Sequence, residues 1–465
     1  MITFRSSHIF SVRLRHSSSP SDVYDRDDQV FCSSDVASPK VTGVTASSSP
    51  KRAVACNPAL LSLIGARRVL LLQGPLGPFF DRLARWLMRR GIHVERVAFQ
   101  GGDVLDAQLL QPTLYTGTPM AWAGHVRTML QDGQFDHIVL FGQARTYHVT
   151  AIQQARALGV AVVVMEEGYF RPGFATMELD GVNGYSRTLE RFEWRPDDAA
   201  RCPHRTSAQP LPWVGSVQPH HCEHHFRKMA WFASQHYLAM RKQAQRFPHY
   251  LHHKEANPHW YARYWVWSWC KKYWCRGRDA RVQHYLLSAG VRYFFVPLQH
   301  DSDAQITHHS RFRENTRFII EVMRSFSQYA PRDALLVFRQ HPFSRGGAGH
   351  VNLIRALAAE MDCADRVCHM VEGDTPLLAQ HSKGVVLINS TVGLQALERG
   401  APLIALGETL YNREGLTFQH GLDRFWAEGR PAQMDVMAYF VAQMRNLTQV
   451  PVSLYAERSQ ELTWQ

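Results

Sequence analysis

Val385-Val-Leu-Ile-Asn-Ser-Thr-Val-Gly-Leu394 reads as a buried strand, a turn of small polar residues and the start of a helix. A strand passing directly into a helix is the repeating step of a parallel, doubly wound sheet. The first amides of a helix have no partners within it, and with the helix dipole they attract anions. Asn389, Ser390 and Thr391 sit at that point, and two of them add hydroxyl donors. Simple capping of the helix by Ser390 explains the residue type equally well.

The same alternation extends outward from this stretch. Strands are expected at 293–297, 334–338, 384–388 and 402–406, with helices at 315–329, 351–361 and 391–399. A second series lies nearer the N-terminus. Strands at 68–73, 94–99, 137–141 and 160–165 alternate with helices at 79–91 and 148–158. In the first of these helices Phe80, Leu83, Ala84, Leu87 and Met88 share one face, and Gly91 stops it. The expected fold is α/β: two Rossmann-like doubly wound lobes with a cleft between them (GT-B-like), plus a helical insertion.

The expected organisation is a disordered extension over 1–65, a first lobe over 66–194 and an insertion over 195–290. A second, donor-binding lobe follows over 291–430, with a helical segment over 431–465. The extension carries Ser-Ser-Ser-Pro punctuation and no hydrophobic periodicity. The insertion is rich in histidine and aromatic residues. The chain of 465 residues is 45% hydrophobic and 20% charged, which suits a globular protein with a large core. Neither a spanning apolar stretch nor a secretory leader is read, so a cytoplasmic protein is expected. A net charge of +12 favours anionic partners without choosing among them. The eight cysteines form no recurring CxxC pair and are expected to be reduced.

Four strand ends carry candidate chemistry. His341-Pro342, after the strand at 334–338, lies at the carboxyl edge where open α/β sheets bind ligands. His341 is placed to donate to a phosphate, although most of the 25 histidines are ordinary loop residues. Gln299 opens a segment that continues to Asp301 and Asp303, two carboxylates able to attack or stabilise an anomeric carbon, or simply to cap a helix. Glu166 and Glu167 end a first-lobe strand, and one is expected to serve as acid or base, because adjacent side chains of an extended segment point opposite ways. His220-His-Cys-Glu-His-His225 is ligand-rich but reads as a solvated run, so no metal is expected.

Taken in order, Glu166-Glu-Gly-Tyr-Phe-Arg-Pro172, Val182-Asn-Gly-Tyr-Ser186, Pro297-Leu-Gln299 with Asp303-Ala-Gln-Ile306, His341-Pro342 and Asn389-Ser-Thr-Val-Gly-Leu394 resemble the capsule polysaccharide synthesis family. The resemblance implies a retaining β-Kdo transferase using CMP-Kdo. It further implies the branch that primes the Kdo linker on a phosphatidylglycerol-type lipid, since each motif occurs once. By matching position, Asp303 is the nucleophile, with Asp301 an extra aspartate two residues earlier. Glu166 lies near the acceptor with Glu167 second. His341, Pro342, Gln299, Asn389, Ser390 and Thr391 bind the donor. No cofactor beyond the CMP-Kdo donor is implied. An anionic phospholipid acceptor, the inner-membrane surface and other capsule assembly proteins are the implied partners. Arg171, Trp265, Trp267, Lys271 and Lys272 are the expected acceptor and membrane contacts, because Trp suits the headgroup region and Lys or Arg attracts anionic lipid. A bland core helix explains the aromatics of 260–278 about as well. A peripheral place at the inner membrane follows. No nucleic-acid module is recognised, and a non-catalytic export or scaffold role is the rival reading.

Overall fold

The computed structural model describes residues 57–170, 173–188, 219–252, 258–301, 306, 310–347 and 349–464, without the side chains of 219–226 and 258–262. The first lobe runs α1 (Pro58–Ile64), β1 (Arg68–Leu71), α2 (Phe79–Met88), β2 (His93–Ala98), α3 (Gly101–Asp106), β3 (Thr113–Leu114), α4 (Trp122–Asp132), β4 (His137–Phe141), α5 (Thr146–Ala157), β5 (Ala161–Glu167) and β6 (Phe174–Leu179). Two long helices follow, α6 (Pro219–Lys242) and α7 (Pro258–Leu286). The second lobe runs β7 (Tyr293–Pro297), α8 (Asn315–Tyr329), β8 (Leu335–Arg339), α9 (Val351–Glu360), β9 (Val367–Met370), α10 (Thr375–His381), β10 (Gly384–Leu387), α11 (Val392–Glu398), β11 (Leu403–Ala405) and α12 (Leu422–Glu428). Helix α13 (Met434–Thr448) and strand β12 (Gln449–Pro451) come last.

The second sheet has the order β11-β10-β7-β8-β9 and is parallel throughout. Its central strands are buried on both faces, which is why they read as continuous apolar runs. The first sheet has the order β12-β6-β5-β4-β1-β2-β3. It is parallel from β5 to β3, but β6 runs antiparallel to β5, and β12 antiparallel to β6. The purely parallel sheet expected for this lobe is therefore corrected at one edge. Strand β6 escapes a pattern reading because Thr176 and Glu178 are polar yet buried.

Two expected boundaries also change. Residues 57–65 are not disordered. Pro58 begins α1, the Asn57 side chain accepts from the Leu60 amide at 2.9 Å, and Ala59, Leu60 and Leu63 are buried. Asn57 also donates to the Met177 carbonyl at 3.1 Å, tying the helix to β6. One short helix offers too few turns for periodicity to register. Residues 1–56 lie outside the described residues. At the other end, 431–465 is helical only over α13. Strand β12 then joins the first sheet, and the tail binds α2: Arg82 donates to the carbonyls of Ser453 and Gln460 at 2.7 Å each, and Trp464 packs edge-on against Trp86 at 5.4 Å. The described parts of 195–290 are predominantly helical, as expected.

The lobes share buried contacts. Tyr169 and Phe170, just past β5, belong to one apolar cluster with Tyr293, Phe295 and the α13 residues Met437, Phe440 and Met444. Because α1 is part of the core, Leu60→Ala is expected to destabilise the protein by roughly 2–5 kcal/mol in urea unfolding. An unchanged midpoint would return this segment to the disordered extension.

Candidate active site

The ends of β7 and β10 are joined by a reciprocal amide pair. Gln299 Nε2 donates to Asn389 Oδ1 at 3.0 Å, and the Asn389 amide donates to Gln299 Oε1 at 3.2 Å. Both residues are buried, so these bonds are made away from water and hold two adjacent carboxyl strand ends in register. Just beyond, the Ser390 hydroxyl oxygen accepts from the Val392 amide at 3.2 Å. Ser390, one residue before the cap, thus takes the first amide of α11, and its hydroxyl proton is still able to donate. Thr391 occupies the N-cap position without a side-chain bond to the helix, which has seven residues. Tyr411 lies against Gly393, where an added Cβ would stand 2.5 Å from the ring, so only glycine lets the turn sit this close.

His341 ends the segment after β8 and starts a short turn at Pro342. Its Nδ1 accepts from the Phe343 amide at 3.2 Å, so the neutral ring carries its proton on Nε2 and is a donor there. The His300 ring stands edge-on to it at 5.9 Å. Asp301 is a tether: it accepts from Asn315 Nδ2 at 2.7 Å and contacts His350 Nε2 at 2.8 Å. Burial works to raise its carboxyl, and these two bonds overcome it and hold the group below the usual range. Asp303 lies outside the described residues, as does Arg171.

Helix α7 packs on the His341 loop. The Tyr264 hydroxyl donates to the Phe343 carbonyl, Trp265 meets Phe343 edge-on at 6.0 Å, and Lys271 Nζ donates to the Gly347 carbonyl at 3.4 Å. Burial lowers the Lys271 ammonium. Trp265 and Lys271, expected at a lipid surface, are half-buried against this loop, whereas Trp267 is 54% exposed and Lys272 lies 5.6 Å over the Trp269 ring. Asp279 anchors the same helix, accepting the amides of Val371 and Glu372 at 2.8 Å each. It was not singled out in sequence; an acid inside so basic a stretch is the available signal.

In the first lobe the two acids at the end of β5 diverge, as adjacent residues of a strand must. Glu166 Oε2 accepts from Asn183 Nδ2 at 2.7 Å, whereas Glu167 Oε1 accepts from Tyr455 in the C-terminal tail at 3.0 Å. Asn183 has φ +58°, a left-handed conformation that asparagine tolerates. Its amide donates to the Tyr169 hydroxyl at 3.1 Å, and that hydroxyl lies close enough to Glu178 to interact with it electrostatically. Glu178 also takes the hydroxyls of Ser186 and Thr188. A polar chain therefore runs from a carboxyl buried in β6 to Glu166. Glu178 is invisible to a motif reading because it sits inside a strand.

Burial pushes the Glu178 carboxyl up to about 7, with the Ser186 and Thr188 hydroxyls opposing the rise. A carboxyl raised above its unfolded value of 4.5 binds its proton more tightly in the folded state. Its contribution to stability is complete below that value and is lost as pH climbs through about 7. Melting curves from pH 4 to pH 8 are expected to show this decline in the wild type and not in Glu178→Gln. Parallel profiles for the two proteins would contradict the assignment.

Residues 136–455 match the model of the family described as capsule polysaccharide biosynthesis protein. The chain is 35% identical over 398 residues to the capsule polysaccharide export protein KpsS of Escherichia coli, spanning 85% of this chain and 99% of that one. It is 29% identical over 400 residues to the capsule polysaccharide modification protein LipB of Neisseria meningitidis, spanning 85% and 93%. Among solved structures, KpsC of Thermosulfurimonas dismutans, a β-Kdo 2,7 transferase, aligns with 80% of this chain and 90% of its own, at 13% identity and a TM-score of 0.39. By the extent of the family match and the identity to KpsS, the chain belongs to the capsule polysaccharide biosynthesis protein family.

Proposed function

We propose that the chain is a retaining β-Kdo transferase. It moves Kdo, an acidic sugar, from CMP-Kdo to a phosphatidylglycerol-type lipid and so primes the linker on which capsular polysaccharide is built and exported. The observation that carries this reading is the gathering of His341, Ser390 and the Gln299–Asn389 pair on one carboxyl sheet edge. Those groups offer neutral donors to a phosphate, and a phosphate so held is a stabilised leaving group.

In the proposed sequence the bond from the anomeric carbon to the CMP phosphate oxygen breaks, and its electron pair stays with the phosphate. An oxygen of Asp303 forms the new bond. The acceptor hydroxyl then attacks that carbon, its proton passes to Glu166, and Asp303 departs as a carboxylate. Two inversions give net retention. The bond Glu166 accepts from Asn183 sets the direction of its carboxylate. The lipid would be met at the inner-membrane surface, and the outward face of α7, with Val266 64%, Trp267 54%, Tyr273 61% and Trp274 83% exposed, supplies aromatic contacts beside basic residues. Among the described residues no helix is long and apolar enough to cross a membrane. A non-catalytic part in export is the second reading, favoured by the name of the E. coli relative.

Asp303→Asn is expected to keep CMP binding nearly intact and to abolish transfer, read as CMP release with a phosphatidylglycerol analogue and mass spectrometry of the product. Full activity in that variant would remove Asp303 from the reaction, and no CMP release by the wild type would favour the export role. His341→Ala is expected to weaken CMP binding about tenfold by calorimetry. Pelleting with vesicles is expected to retain the protein on anionic and not on neutral lipid; equal retention would count against the α7 surface.

A further inference from the structure

Arg145 has no part in the reaction as described above, yet its position is unusually well defined. It lies in the loop from β4 to α5, between two clamps. His148 contacts the Gly142 carbonyl through Nδ1 at 2.7 Å and accepts from the Gln73 amide through Nε2 at 3.3 Å, which ties this loop to the end of β1. Gln143 makes a reciprocal pair with the backbone of Val182, donating to its carbonyl at 3.0 Å and accepting from its amide at 3.2 Å. Val182 precedes Asn183, which holds Glu166. Strands β4 and β5 are parallel neighbours in register, with Phe141 opposite Met165. Arg145 and Glu166 therefore leave adjacent strands at the same carboxyl edge, on loops that are bonded to each other.

Arg145 is half-buried, and its guanidinium makes few bonds. Among the described residues it makes one hydrogen bond, from Nη1 to the Gly74 carbonyl at 3.3 Å. It does not cap the helix that follows, and among the described residues no carboxylate pairs with it. Two buried arginines of this lobe hold more partners: Arg96 pairs with Asp81 at 3.2 Å and donates to the Asp106 carbonyl at 3.0 Å, and Arg82 holds two backbone carbonyls. Burial lowers Arg145, and the charge of Asp103, ahead of the weaker influence of Glu166, restores part of the difference. A half-buried planar fork of donors with one long bond is suited to a phosphate or carboxylate, which it can grip with two parallel bonds.

We propose that Arg145 binds the phosphate of the acceptor and so sets the acceptor hydroxyl beside Glu166. This rests on the reading of the first lobe as the acceptor lobe. The chemistry matches the distance along the ligand: in a glycerol phosphodiester the terminal hydroxyl is a few bonds from the phosphate, as Glu166 is one loop from Arg145. The nucleotide phosphate is the other possible source of such an anion, and the two are separable by binding.

The test is calorimetry of the wild type, Arg145→Gln and Arg145→Lys with two soluble probes, glycerophosphoglycerol and CMP. The expected result is a loss of about tenfold or more in affinity for glycerophosphoglycerol in Arg145→Gln, a smaller loss in Arg145→Lys, and unchanged CMP affinity in both. Equal loss for both probes would place Arg145 on the donor phosphate and overturn the proposal. So would unchanged affinity for glycerophosphoglycerol, or a wild type that fails to bind it. The retained CMP affinity reports folding of the variants. Because binding is read without turnover, a wild type that binds the probe through Arg145 but transfers no Kdo would overturn the transferase reading and leave this one standing.

Discussion

Tyr169 is the residue on which the arrangement depends most. Its ring is buried in an apolar cluster that also holds second-lobe residues. Its hydroxyl accepts from the Asn183 amide and lies within electrostatic reach of Glu178. Its own amide is bound by Gln449 of β12 at 2.9 Å. One side chain thus joins the packing of the lobes to the polar chain that directs Glu166. The preceding Gly168 is required for the same reason: a Cβ there would stand 2.4 Å from the Phe174 carbonyl. A tyrosine fits where phenylalanine would not, because the part-buried Asn183 amide would lose its acceptor.

The two lobes use the same device at their carboxyl edges. In the second lobe Gln299 and Asn389 pair across the ends of β7 and β10. In the first, Gln143 pairs with the backbone of Val182 across two loops. Each clasp is buried, where a reciprocal amide pair is strengthened by the low dielectric and costly to open. Loops fixed in this way can present His341 on one lobe and Glu166 with Arg145 on the other without large rearrangement of the backbone. Helix α7 supplies a second constraint, since one of its faces grips the His341 loop while the opposite face is exposed.

The central strands of both lobes were legible because parallel strands buried on both faces are apolar over their whole length, as 293–297 and 384–388 are, whereas β3, β6 and β9 were not read. The divergence of Glu166 and Glu167 followed from strand geometry alone. Ser390 shows the limit of such reasoning: its type suited both capping and anion binding, and in the structure its hydroxyl oxygen takes the first helix amide from one residue before the cap. The exchange of β12 into the first sheet could not be read, because a strand of three residues carries no periodicity and its partner is far away in sequence.

The sequence by itself determined the α/β alternation, the strand ends that carry the candidate site and the ordered motifs of the family, since each depends on local pattern. Only the tertiary structure decided which side of α7 faces outward, that Asp301 is a tether, that Glu178 lies behind Glu166, and that Arg145 leaves the neighbouring strand at the same edge. Those are relations between residues distant along the chain, and they come from burial and hydrogen bonding that no local pattern encodes.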